Sequence, residues 1–267
     1  MRLTARSLTV LALLATCLAS PAMADFKKGT AAYEAGDYAT ALKEWRPLAE
    51  QGNTDAQYGL GLLYDSGKGV PRDNAEAARW YRKAADLGLA SAQSNLGVLY
   101  ARGEGVKQDF KEAARWYRRA AEQEYAMAQF NLGVLYEKGH GLKQNYAEAV
   151  HWYRRAAERG GDADAQINLA VLYASGKGVP QSYAKAARYY RMAAEQGDVD
   201  SQSSLGVLYA KGQGVPQDLV QAHLWLHLAA AQGDKSAAKE RDLLVKKMTA
   251  DQLAQAHKLA RGWKPKK

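Results

Sequence analysis

The stretch Ala92-Gln93-Ser94-Asn95-Leu96-Gly97-Val98-Leu99-Tyr100, followed by Gly103-Glu104-Gly105-Val106 and by Trp116-Tyr117, decides the fold. Its closing tyrosine recurs along the chain. Tyr64, Tyr100, Tyr136, Tyr173 and Tyr209 stand 36, 36, 37 and 36 residues apart, each ending a Leu-Tyr pair. The aromatic pairs Trp80-Tyr81, Trp116-Tyr117, Trp152-Tyr153 and Tyr189-Tyr190 keep the same intervals, continuing to Trp225-Leu226. A fixed period of this length is the signature of stacked supersecondary units, so the chain is read as an array and not as one or two ordinary domains. The extra residue falls near Gly160-Gly161, between two helices, where a loop absorbs an insertion at small entropic cost.

Each unit divides into two helices. In residues 56–91, Ala56, Leu60, Leu63 and Tyr64 fall at i, i+4, i+7 and i+8, one face of an α-helix, here termed helix A. Gly67-Lys68-Gly69 ends it. Helix B then starts from a column of good N-caps, Asp37, Asp73, Asp109, Asn145, Ser182 and Asp218, whose short side-chain oxygens can accept an orphan N–H. It ends at a glycine column, Gly52, Gly88, Gly160, Gly197 and Gly233, suited to a left-handed C-cap. Glu124 interrupts that column, which predicts a strained or differently shaped junction. The paired alanines Ala84-Ala85, Ala120-Ala121, Ala156-Ala157, Ala193-Ala194 and Ala229-Ala230 predict close helix approach. So do the small residues Gly61, Gly97, Gly133, Ala170 and Gly206 on helix A, against a helix cost of about 1 kcal/mol per glycine.

These segments, A-Q-x-N-L-G-V-L-Y, G-x-G-V-x-x-D and A-x-x-W-Y-x-x-A-A, resemble the Sel-one-like repeat family, relatives of the tetratricopeptide repeats. Five such units are read over 56–91, 92–127, 128–164, 165–200 and 201–236. Residues 25–55, with Tyr33, Gly36-Asp37-Tyr38, Ala41 and Trp45, look like a tetratricopeptide-type capping unit, and Pro47 predicts a kink in its helix B. Residues 237–267 are read as C-terminal capping helices and a basic tail, the second helix begun by a capping box of Thr249 and Gln252. The resemblance implies an all-α fold, a right-handed α/α superhelical solenoid of antiparallel helix pairs, used for protein–protein contacts.

Residues 1–24 read as an export signal. Arg2 and Arg6 precede an apolar run from Leu8 to Leu18, too short to span a bilayer, and Ala22-Met23-Ala24 forms a small-x-small cleavage site. This predicts a periplasmic or secreted protein starting at Asp25. Acylation at Cys17 is the alternative, disfavoured because Thr16 is bulky for a lipobox. Cys17 is the sole cysteine, so the exported chain would hold no disulfide or thiolate chemistry.

The net charge of +9 is localised. Residues 25–234 carry 25 Lys and Arg against 25 Asp and Glu, whereas 235–267 hold ten basic residues against Glu240, Asp242 and Asp251. A neutral array argues against nucleic acid as a partner. Arg82, Arg118, Arg154 and Arg191 recur on helix B, each four residues before an acid (Asp86, Glu122, Glu158, Glu195), and are read as a salt-bridge ladder. The basic tail is read as solvated, with weak contact to anionic envelope components as the alternative.

No residue pattern calls for catalysis, a metal or another cofactor. The G-x-G loops follow helices and lack a Gly-Lys-Ser/Thr continuation, so they read as turns and not phosphate cradles. Ser182-Tyr183-Ala184-Lys185 and Ser236-Ala237-Ala238-Lys239 match S-x-x-K, a concern because some cysteine-rich relatives are linked to penicillin binding or β-lactamase activity. The accessory S-D-N and K-T-G elements are missing, and Ser182 belongs to the N-cap column. His223 and His227 could present two imidazoles to a metal, but no third ligand lies nearby in the sequence.

The candidate binding residues are those that vary within a fixed frame. The position after the Gln column on helix A reads Tyr58, Ser94, Phe130, Ile167 and Ser203, turned away from the Leu-Tyr stripe at 100° per residue. Asn95, Asn131 and Asn168 run beside them. They are placed either to hydrogen-bond a peptide in a concave groove or to stitch neighbouring helices together. Read as an exposed stripe, this column predicts that Asp in place of Phe130 or Ile167 leaves stability nearly unchanged.

Overall fold

The computed structural model describes residues 21–266, with side chains from Asp25 onward. The export signal read over 1–24 therefore lies outside the described residues except for the backbone of Pro21–Ala24, and Cys17 lies outside them altogether. Fourteen helices make up the described chain: α1 (Pro21–Glu34), α2 (Tyr38–Glu50), α3 (Thr54–Ser66), α4 (Asn74–Asp86), α5 (Ala90–Arg102), α6 (Phe110–Glu122), α7 (Ala126–Lys138), α8 (Tyr146–Arg159), α9 (Ala163–Ser175), α10 (Tyr183–Glu195), α11 (Val199–Lys211), α12 (Leu219–Ala231), α13 (Lys235–Val245) and α14 (Ala250–Gly262). Odd-numbered α3 to α11 are the A helices and their even successors the B helices. Every B helix packs on its own A helix and on the next, which makes the right-handed superhelix of antiparallel pairs.

The N-cap column performs as its chemistry requires. Asp73, Asp109 and Asn145 each accept two backbone N–H groups, and Asp37, Ser182 and Asp218 accept one. The first glycine of each G-x-G turn is the left-handed C-cap of helix A. The second has a different reason. A Cβ on Gly105 would lie 2.1 Å from the carbonyl carbon of Asn74, and one on Gly214 would lie 2.1 Å from that of Tyr183. Each turn thus presses its backbone onto the start of the preceding repeat's helix B, and only glycine fits.

Two junctions depart from the glycine column, one of them as expected. Glu124 adopts the same left-handed conformation as the glycines in its column, at φ 63°, the one non-glycine residue with positive φ among those described. Its carboxylate is held by Arg155, at 3.6 Å, and by Arg159, ion pairs that accompany the unfavourable backbone. In the following junction the left-handed position is Gly161 (φ 66°), and not Gly160 (φ −89°), because the inserted residue shifts the column by one. Helix α2 runs through Pro47 to Glu50 and keeps its apolar face, Ala41, Trp45, Leu48 and Ala49, buried.

The core is a series of small clusters shared between neighbouring repeats. Ala77, Ala78, Tyr81, Leu96, Leu99 and Trp116, for example, come from three helices of two units. The helix A glycines are filled by aromatic rings: a Cβ on Gly61, Gly97 or Gly133 would fall 2.4, 2.6 or 2.7 Å from the ring of Tyr81, Tyr117 or Tyr153. Burial of these large rings outweighs the helix cost of glycine. At the C-terminus α13 packs on α12 in the place of a further A helix, while α14, begun by the Thr249–Gln252 capping box, packs on α12 as well.

Candidate partner-binding surface

Three hydrogen-bonded columns hold the A helices in register. The buried amides of Gln57, Gln93, Gln129, Gln166 and Gln202 donate to the carbonyls of Ala49, Ala85, Ala121, Ala157 and Ala194 at the end of the preceding B helix, at 3.1 to 3.4 Å. Arg46, Arg118 and Arg154 donate to the hydroxyls of Tyr64, Tyr136 and Tyr173 on the next A helix at 2.8, 2.6 and 2.6 Å, and Arg82 and Arg191 do the same to Tyr100 and Tyr209. The helix B arginines are therefore repeat-to-repeat connectors. The i, i+4 salt-bridge ladder read from the sequence does not form, and Glu158 and Glu195 bind Arg188 and Lys266 instead. The helix spacing allowed the ladder. A phenol on the next helix, fixed by packing and distant in sequence, offers the guanidinium a less exposed partner.

The third column belongs to the helix B tyrosines. Tyr81 donates to Asp65 at 3.2 Å and Tyr153 to Glu137 at 2.6 Å. Burial, aided by the neighbouring carboxylates, pushes both phenols well above their ordinary range, so they remain protonated donors. Tyr189, which donates to Glu158 at 2.7 Å, is raised to about 12, again mainly by burial.

The candidate binding residues lie on top of this layer and are less exposed than the helical-wheel argument predicted. Tyr58 and Phe130 tilt over the rings of Tyr81 and Tyr153, with centroids 5.8 and 5.7 Å apart, and both are half-buried. Ile167 and Ser203 are also half-buried, and Ser94 is completely buried. For Tyr58 and Phe130 the reason is that the helix B ring seated on the glycine reaches around helix A and meets the flank on which this column stands. Asn95 lies near the Tyr81 and Tyr58 hydroxyls and Asn168 near that of Tyr153. Asn131 lines a cleft together with the corresponding tyrosine, Tyr117. The exposed apolar side chains of this face are Met127 (51% exposed) and Val171 (46%). Each stands one helical turn from a predicted residue, Phe130 and Ile167 respectively.

Other predicted features fall as follows. Ser182 uses its hydroxyl to accept the backbone N–H of Lys185 as the α10 cap, and Ser236 and Lys239 are exposed on α13. The tertiary structure brings His257 of α14 to His223 and His227, with ring centroids 5.2 and 6.1 Å away. No sequence pattern signals that encounter. Among the described residues no group of three His, Cys, Asp or Glu side chains is arranged to hold a metal ion. His223 is buried, and burial together with His257 and His227 lowers its pKa to about 4. The basic tail is docked where the sequence suggested solvation. Trp263 meets Trp225 edge-on at 6.3 Å, and Lys266 binds Glu195 through both backbone and side chain. Lys258, Arg261 and Lys264 are exposed. No described helix is long and apolar enough to cross a membrane.

Comparison with known proteins agrees with this architecture. The Sel1 repeat profile matches residues 54–89, 90–125, 126–161, 163–198 and 199–234. A protective antigen of uropathogenic Escherichia coli strains, displaying an SLR fold, is 37% identical with a TM-score of 0.82. The match covers 90% of this chain and 52% of that one, so this chain spans about half its length. A Sel1 repeat protein from Oxalobacter formigenes is 41% identical with a TM-score of 0.74, covering 80% of this chain and 88% of that one. No curated protein matches the chain. The five profile matches and the two similar solved structures, together with the Gln, Tyr and Gly columns that lock each unit to the next, place the chain in the Sel1 repeat family.

Proposed function

We propose that the chain is exported and acts as a non-catalytic scaffold that holds a protein or peptide along the concave side of the superhelix, formed by the A helices. Sel1 repeat proteins are in general helical scaffolds that bind protein partners. The observation that carries the reading here is the exposure of Met127 and Val171 on the A-helix face, between side chains that are tied down. Apolar side chains left in water beside a rigid frame are suited to serve as anchors for a partner. Export rests on the amino-terminal sequence. Intact-mass measurement of protein from the producing cell tests it: a chain starting at Asp25 is expected, and one starting at an acylated Cys17 refutes it.

Met127→Asp and Val171→Asp test the face. Both positions are solvated, so melting should change little, while affinity for a captured partner should fall about thirtyfold if these are anchors. Unchanged capture by both folded variants refutes the assignment. Phe130→Asp is a poorer probe than the sequence suggested, because Phe130 packs on Tyr153. A second reading, contact of the basic C-terminus with an anionic envelope polymer, rests on the exposed Lys246, Lys247, Lys258, Arg261 and Lys264. Salt separates the two, since screening weakens tail-led binding and leaves apolar anchoring intact.

A further inference from the structure

Of Tyr81, Tyr117, Tyr153 and Tyr189, Tyr117 is the one without an acid, since Tyr189, whose own repeat has Ala174 at the acid position, turns to Glu158 of the preceding helix B. Tyr81 and Tyr153 donate to Asp65 and Glu137, but the corresponding position in the intervening repeat is Ala101. No side chain among the described residues accepts from the Tyr117 hydroxyl. The guanidinium of Arg102, the residue that follows Ala101, shares its cleft and acts on it electrostatically. The next A helix contributes Lys138, which makes no ion pair among the described residues, and the Asn131 amide. Arg102 has only a long contact with Glu104, at 3.9 Å, and Glu104 is shared with Arg72 at 3.5 Å. These groups line one cleft of about 410 Å³ between the second and third repeats, walled by Val98 and Val134.

We propose that this cleft binds a carboxylate of the partner, whether an acidic side chain or a chain terminus. The inference rests on the A-helix face being the partner-binding surface and adds the chemistry it selects. Where other repeats supply an internal acid to the tyrosine, this one leaves the donor for an external acid and surrounds it with two positive charges. Arg102 offers a planar fork matched to a carboxylate, Tyr117 and Asn131 offer neutral donors, and Lys138 adds charge from the opposite wall. The valines lower the local dielectric and accommodate the apolar part of the neighbouring partner residue.

The test uses the full chain in NMR titrations with three acetylated tripeptides: Leu-Ala-Asp amide, Leu-Ala-Leu with a free C-terminus, and Leu-Ala-Asn amide as the neutral control. Saturable shifts at Arg102, Asn131 and Lys138 are expected in the millimolar range for a carboxylate probe, with the neutral control at least about tenfold weaker. Which of the first two probes binds tighter identifies the source of the carboxylate. Arg102→Gln should weaken that probe about tenfold. Ala101→Glu places the missing acid against Tyr117, as Glu137 stands against Tyr153, and should abolish binding with the melting curve unchanged. Equal binding of the neutral control, equal competition by inorganic phosphate, or unaltered affinity in both variants overturns the proposal. If peptides perturb Met127 and Val171 without preferring a carboxylate, the cleft fails and the partner-binding face stands. If no peptide perturbs an A helix and Met127→Asp also retains its partner, the face itself fails.

Discussion

Leu87→Gln would return to one repeat junction a hydrogen bond that three others contain. Gln123, Gln196 and Gln232, each at the C-cap of a B helix, donate to the Oε1 of Gln93, Gln166 and Gln202 at 2.8, 3.0 and 2.9 Å, always thirty residues earlier. The same offset from Gln57 lands on Leu87, and the buried Oε1 of Gln57 is left without a donor. Leu87 is 61% exposed, so removing it sacrifices little apolar burial, and its C-cap backbone (φ −81°, ψ 0°) resembles that of Gln196 (φ −81°, ψ −7°). One buried acceptor satisfied contributes about 1 kcal/mol, or roughly 2 to 4 °C in Tm for a chain of this size. Thermal and urea unfolding of Leu87→Gln, Leu87→Ser and the parent would measure it. An equal gain from serine would assign the effect to removal of an exposed leucine. No gain from glutamine, or a gain that persists in a Gln57→Met background, would refute the hydrogen-bond argument.

Three further outcomes follow from the packing. His223 titrates near 4 when folded against about 6.5 when unfolded, so the unfolded chain binds the extra proton as pH falls. Stability is therefore full above pH 6.5 and declines towards pH 4, with about 2 kcal/mol lost between pH 7 and 5. Urea unfolding of the parent and of His223→Ala checks this, and an equal loss in both refutes it. Gly105→Ala should cost at least about 3 kcal/mol, because its Cβ meets the Asn74 backbone at φ 68°, whereas Gly88→Ala, with nothing within 4 Å, should cost about 1 kcal/mol; similar melting points would contradict the reasoning. Removing residues 249–267 uncovers Trp225 and His223, and should produce dye-binding apolar surface and aggregation, which light scattering would register.

The sequence alone determined the fold, the starts of the B helices and the stacking, because those follow from local chemistry repeated at a fixed period. An N-cap acid, a left-handed glycine and an apolar stripe act within one or two turns, and six copies of the pattern reinforce the reading. The expected strain at Glu124 was partly legible too, as a break in a column. What only the tertiary structure decided were contacts between columns. Whether Arg82 meets Asp86 four residues on or Tyr100 eighteen residues on depends on how neighbouring repeats pack, and both partners suit a guanidinium equally well on paper. The half-burial of Phe130 likewise depends on a helix B ring passing around a glycine, a path that the rotation of helix A by itself cannot reveal. The three-histidine contact and the docked tail depend on α14 packing across α12, where no repeat sets the geometry. Periodicity makes a solenoid legible, and the features that distinguish one surface from another lie where side chains from different units meet.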